Sequence, residues 1–257
     1  ARLFANVRAM IRWARGRGDL DENLTEGMRP PANSAPRERY LTPDEVRQFW
    51  MKLSETDMRV STQRLLKLLL VTGQRVSEVA GATFAEIDME RQLWTLPAAR
   101  TKNGRQHVVP LSDLALELIK EQRASVEALA KRKGYGDVEW LFPGSGMRGP
   151  MTGHAVSRAV SREQDTFRFV EPFTPHDLRR TLATLSEEAG VSPFVVSHIL
   201  NHVSETKSSI TSRVYARYDY AKEKREALEL WSERLSDIIS RKDNIIACGV
   251  VDASEKL

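Results

Sequence analysis

Cysteine is almost absent: Cys248 is the one thiol in 257 residues. That excludes a disulfide framework within the chain and any zinc site built on several thiolates. Long apolar runs are missing too. Leu68–Val71 and Ile245–Val251 are the longest, far short of the ~20 residues that span a bilayer. No charged head, apolar stretch and small-residue cleavage site opens the chain, so nothing there signals secretion. Also absent are a Gly-rich phosphate loop before Lys-Ser/Thr, a dinucleotide fingerprint and a serine elbow. His198 and His202 stand four apart as zinc ligands can, but Ile199-Leu200-Asn201 between them lacks the glutamate a metalloprotease helix uses as base. The acids are scattered among basic residues rather than clustered for a metal-dependent nuclease. The expectation is a cytoplasmic protein away from membranes, with no metal and no cofactor.

What is present suits a globular domain. Hydrophobic residues make up 41% and charged residues 29%, which argues against general disorder. The 39 Lys and Arg exceed the 35 Asp and Glu, for a net charge of +4, which makes polyanions plausible partners without proving them. The distribution says more. Residues 1–17 carry Arg2, Arg8, Arg12, Arg15 and Arg17 and no acid. The chain opens on Ala1 in an already helix-like segment, so a piece of a longer protein is expected.

Phe4, Val7, Ile11 and Ala14 recur at helical spacing up to Gly16. Gly18–Arg39, with Gly27, Pro30, Pro31 and Pro36, reads as a linker. Thr42-Pro43-Asp44-Glu45 then carries a capping-box signature, which sets a domain boundary near residue 40. Leu65–Thr72 reads as a buried helix stopped at Gly73. Phe84–Asp88, Gln92–Leu96 and Gln106–Leu111 read as three short strands, the last two flanking Thr101-Lys102-Asn103-Gly104-Arg105, where Asn-Gly is the strongest two-residue hairpin signal. Helices follow over Leu111–Lys131, Thr152–Glu163, Pro175–Ala189, Pro193–Leu200 and Tyr220–Arg241, and 244–251 is a strand candidate. The class is α+β, mainly helical, with a small antiparallel sheet.

Cationic and donor groups gather at the ends of these elements. Arg75 follows the helix stop in TGQRVSE, and Lys102 sits beside the Asn-Gly turn. His176 and Arg179, in TPHDLRR, share one face of a first helical turn. His202 follows an apolar helix, and Tyr215 lies in RVYARY. Each alone has an ordinary structural explanation, Arg75 with Glu78 as a surface ion pair for example. Together and in this order, TGQRVSE, the hairpin lysine, HDLRR, LNH and VYAR resemble the tyrosine recombinase (phage integrase) family, in particular integrases of prophages and integrative elements. The likeness covers roughly residues 40–240. Asn201 stands where that family commonly has glycine, and 203–214 is longer than usual, so the tyrosine assignment rests on VYAR with Tyr218 and Tyr220 as competitors.

The resemblance implies a catalytic domain over 40–257, with 1–39 as the last helix of a core-binding domain plus the interdomain linker. It implies site-specific integration or excision of a mobile element through a 3′-phosphotyrosyl intermediate, with Arg75, Lys102, His176, Arg179, His202 and Tyr215 as catalytic residues and Glu78 buttressing them. Arg8, Arg12, Arg100, Arg105, Arg158, Arg162 and Lys207 become candidates for contact with double-stranded DNA. A homo-oligomer on DNA is implied, a tetramer in the synapse, with accessory DNA-bending or directionality proteins and association with the nucleoid. The tail 244–257 is a candidate to dock on a neighbouring protomer. An inactive DNA-binding relative and a type IB topoisomerase-like enzyme are the alternative readings.

Overall fold

The computed structural model describes residues 2–31, 37–202 and 219–241. The chain divides between Glu38 and Arg39 into two compact units. The first contains helix α1 (Arg2–Gly16). The second contains the remaining elements. Among the described residues no helix is long and apolar enough to cross a membrane.

The second unit starts as its local chemistry dictates. Helix α2 (Pro43–Lys52) has Thr42 as its cap, with Thr42 Oγ1 accepting from Glu45 N at 3.3 Å and Glu45 Oε2 accepting from Thr42 N at 2.9 Å. The same glutamate takes a two-point ion pair from Arg39, at 2.8 and 2.6 Å. Helix α3 (Val60–Thr72) buries Leu65, Leu66, Leu68, Leu69, Leu70 and Val71, and a helix apolar on nearly every side belongs at the centre of a core. It packs against α5 (Asp113–Lys133), α8 (Pro175–Glu188) and α10 (Ala221–Ser240). From α10, the buried Trp231 indole donates to Leu70 O at 3.0 Å. Helices α4 (Val76–Ala80), α6 (Gly153–Arg162), α7 (Gln164–Phe167) and α9 (Pro193–Ile199) complete the helical layer.

The sheet is antiparallel in the order β1 (Ile87–Asp88), β2 (Leu93–Leu96), β3 (His107–Pro110), with Leu96 opposite His107 and Leu93 opposite Pro110. Two expectations need correction. The strand expected over Phe84–Asp88 is paired only at Ile87–Asp88; Phe84–Glu86 curls into a 3₁₀ turn, closed by Ile87 N donating to Phe84 O. The β2–β3 connection is also not a two-residue turn. Leu96 and His107 close a loop over 97–106, in which Ala98–Arg100 forms another 3₁₀ turn and Gly104, at φ +68°, turns the tip. Pro97 starts that loop because it has no N–H for the ladder. The chemistry beside Asn-Gly is thus carried on a long arm.

Candidate active site

Four chain segments meet at one end of this core. The first is Gly73–Arg75, between α3 and α4. Gly73 ends α3 at φ +65° and donates its N–H to Leu69 O at 2.8 Å. The chain then turns so that Arg75 caps α4, with its N–H bonded to Glu78 Oε2 at 2.9 Å and its Nη1 to Glu78 Oε1 at 2.8 Å. Glu78 is 1% exposed, so this is not a pair of solvated surface charges.

The second segment is the start of α8. Asp177 accepts from Thr174 N at 2.8 Å and Thr174 Oγ1 at 2.9 Å, which fixes the first helical turn. On that turn His176 reaches solvent while Arg179 is 2% exposed. Arg179 Nη1 donates to Gly73 O at 2.6 Å and Nη2 donates to Leu200 O. One guanidinium therefore ties the end of α3 to the end of α9.

The third segment is Leu200–His202, which leaves α9 through Asn201 at φ +48°; His202 N donates to Ser197 O at 2.9 Å. Arg75 Nη2 lies 3.5 Å from Asn201 O. The fourth is the β2–β3 loop with Lys102, whose neighbour Asn103 donates from Nδ2 to Asn201 Oδ1 at 2.7 Å. His176, Arg179, Ser197 and His202 line one cleft of roughly 400 Å³.

The electrostatics disfavour further positive charge, which suits an anion. His202 is pushed down to about 4, first by burial and then by the charges of Arg179, Arg75, His176 and Lys102. His176 is lowered by burial, Arg180 and Arg179, and Arg179 itself is lowered to about 10 by burial and by Arg75, against the pull of Glu78. Arg179, Arg75, His176 and Lys102 thus all lie near enough to His202 to disfavour its charge, and Arg75 acts on His176 and Arg179 as well.

The other sequence candidates separate. Tyr215 and Lys207 lie outside the described residues, as do Tyr218 and the tail 244–257. The Tyr220 ring packs 4.3 Å from His198 and 5.0 Å from Phe194, joining the start of α10 to α9. His198 is thus turned to an aromatic contact. Arg105, Arg158 and Arg162 are exposed, the last two one turn apart on α6; on α1, Arg12 is exposed and Arg8 half-buried. Arg100 differs from these in having internal partners. Its guanidinium pairs with the Glu86 carboxylate and donates to Glu78 O, so it braces the protein itself.

Sequence reasoning missed three buried supports. Gln74, fully buried, donates from Nε2 to Thr72 O at 2.8 Å and Ile199 O at 3.0 Å. His107 on β3 places Nε2 3.1 Å from Ile199 O, and Lys224 on α10 donates to Val108 O at 2.7 Å. The TGQ run was a signal for Gln74; the side-chain hydrogen bonds of His107 and Lys224 run to residues far away in the chain and offered none.

The helical core around α3, the three-stranded sheet and the basic cleft define the fold of a tyrosine recombinase catalytic domain. A lambda integrase dimer bound to a COC′ core site shares it, with TM-score 0.59 and 21% identity over 79% of this chain and 55% of that one. The model of the phage integrase family matches residues 39–222, and the chain belongs to that family. Prophage integrase IntA of Escherichia coli (strain K12) is 28% identical over 90% of this chain and 53% of its own length. This chain therefore spans about half of that relative. Tyrosine recombinase XerC of Xylella fastidiosa (strain 9a5c) is 26% identical over 85% of this chain and 69% of its own.

Proposed function

We propose that this chain is the catalytic part of a site-specific DNA recombinase that integrates or excises a mobile element, with Tyr215 as nucleophile. The observation that carries the reading is the convergence of Arg75, Lys102, Arg179, His176 and His202 where the four segments meet, with both histidines depressed first by burial and then by repulsion from the cations around them. A phosphodiester relieves that repulsion.

The Tyr215 oxygen attacks phosphorus, the bond to the 5′ oxygen breaks, and a 3′-phosphotyrosyl link stores the bond energy for rejoining. A phenol with pKa about 10 is ionised to about one part in a thousand at pH 7, so forming phenolate unaided costs roughly 4 kcal/mol. His176, whose proton affinity is lowered by partial burial and by Arg180, is assigned as the base that accepts that proton. Arg75 and Arg179 bond the non-bridging oxygens, where charge grows in the transition state. His202 adds a donor. The ammonium of Lys102 gives its proton to the 5′ oxygen, a poor leaving group as alkoxide. Glu78 holds Arg75 in register.

DNA-backbone contact is assigned to Arg8, Arg12, Arg105, Arg158, Arg162 and Lys207, with residues 1–39 as the last helix of a core-binding domain and its linker. The lambda integrase dimer on its core site supports assembly on double-stranded DNA; the tetrameric synapse, accessory proteins and nucleoid association belong to the proposal.

The test is a suicide substrate: DNA spanning the junction of the element that encodes this chain, nicked beside the cleavage position and incubated in EDTA. A denaturation-resistant protein–DNA adduct is expected in wild type and absent in Tyr215→Phe. Loss in Tyr218→Phe alone moves the nucleophile. Bound DNA with no adduct in any variant overturns the reading.

A further inference from the structure

The β2–β3 loop carries Lys102 on a ten-residue arm over 97–106, yet the arm is tied at two points. At its base Arg100 pairs with Glu86 and donates to Glu78 O, the residue that holds Arg75. At its tip Asn103 and Asn201 face each other amide to amide: Nδ2 of Asn103 lies 2.7 Å from Oδ1 of Asn201, and the reverse contact is 3.5 Å. Asn103 Oδ1 also accepts from Arg105 N at 3.2 Å, which orients the side chain within its own turn. Thr101 closes the other side by donating from Oγ1 to Arg105 O at 2.7 Å. Lys102 sits between the two ties.

Asn201 is unusual in what it touches. It is 7% exposed and left-handed, at φ +48°. Its side chain meets the Lys102 loop, its carbonyl faces Arg75, and the next residue is His202. Of the side chains, only a short amide readily combines that backbone conformation with a donor and an acceptor aimed at another amide.

We propose that the Asn103–Asn201 pair is a latch that holds the Lys102 arm against the His202 segment before DNA arrives, making both asparagines positioning residues for Lys102. This rests on the reading of Lys102 as proton donor to the leaving 5′ oxygen. Neither amide titrates near neutrality, so the latch is indifferent to the protonation of the histidines beside it. A single neutral hydrogen-bonded pair is weak enough to open when the arm must move, and its loss changes the closed-to-open ratio by roughly five-fold.

Two variants and two readouts decide the matter. Asn201→Gly keeps the left-handed backbone at no steric cost, and Asn103→Ala removes the partner from an exposed turn. In the free protein, trypsin cuts after Lys102 and Arg105 at a rate set by loop opening. Roughly five-fold faster cutting there is expected in both variants, with other sites unchanged; equal rates overturn the latch. The second readout is single-turnover cleavage of the nicked DNA with oxygen or sulfur as the bridging 5′ atom. A thiolate leaves without a proton, so a misplaced Lys102 slows the oxygen substrate and spares the sulfur one. A loss on oxygen of at most about five-fold, with near wild-type rates on sulfur, is expected. Equal loss on both means that the pair only supports the fold, and the positioning role falls. A wild type inactive on both substrates counts against the recombinase reading and leaves the trypsin result to decide the latch.

Discussion

Arg179 is a cation held nearly out of water by two main-chain carbonyls, Gly73 O and Leu200 O, with Arg75 repelling it and Glu78 attracting it. Only a planar fork reaches both carbonyls and still presents charge to the cleft; an ammonium satisfies one and orphans the other. Arg179→Lys is therefore expected to lower unfolding free energy by about 1–3 kcal/mol, read by urea titration, because a buried carbonyl loses its donor. Adduct formation should fall by about 10²–10³, as for loss of one oriented donor to a developing oxyanion. A variant that folds and cleaves like wild type refutes both statements. Glu78→Gln tests the companion pair. It keeps an acceptor for Arg75 N but removes the buried negative charge, so Arg75 should lose its fixed position and cleavage should drop about ten-fold or more at saturating DNA.

At the scale of elements, the junction between α3 and α4 carries the most consequence. Gly73 lies at φ +65°, and a Cβ there would meet Leu182 Cδ1 at 3.0 Å and Leu200 Cδ2 at 3.2 Å. Gly73→Ala thus adds left-handed strain to crowding between α8 and the end of α9, for an expected cost of about 2–3 kcal/mol in a denaturant titration. Because Gly73 O also holds Arg179, the same substitution should weaken cleavage beyond what the stability loss explains. This stop was legible in the sequence, as were the Thr42 cap and the helix start at Pro175, because helix ends are written in residues three or four apart. The β2–β3 arm was not. Arg100 reads as a free cation until Glu86, fourteen positions earlier, is brought beside it, and Asn103 shows no sign of Asn201, ninety-eight positions later. Local hydrogen bonds leave local signatures, whereas those that assemble the cleft join segments distant in the chain. The positions of Arg75, His176, Arg179 and His202 were readable only through the order of their motifs.

Across the whole molecule, the histidines make pH act on folding and on binding in opposite directions. His107, 6% exposed, is pushed down to about 4 by burial and by Lys224, so it stays neutral in the folded protein and donates Nε2–H to Ile199 O. Unfolded, it titrates near 6.5. Between those values the unfolded chain binds more protons than the folded one, and stability rises with pH. It is complete above about 6.5, falls as pH drops through the window and levels off near 4, with a loss of order 3 kcal/mol from this residue. His107→Gln keeps a donor for Ile199 O and should flatten much of that slope in urea titrations from pH 4 to 7. His202 also has a value of about 4, but it lines a cleft, and after burial its depression comes from the cations around it. A DNA phosphate beside it raises its affinity for a proton. Association should then take up protons between about pH 4 and 6.5, and the DNA complex should tighten as pH falls while the free protein weakens. Calorimetry in two buffers of different ionisation enthalpy measures the uptake. His202→Gln should abolish most of it, leaving a remainder on His176, whereas His107→Gln should leave it intact. Equal uptake in wild type and His202→Gln would place the phosphate elsewhere.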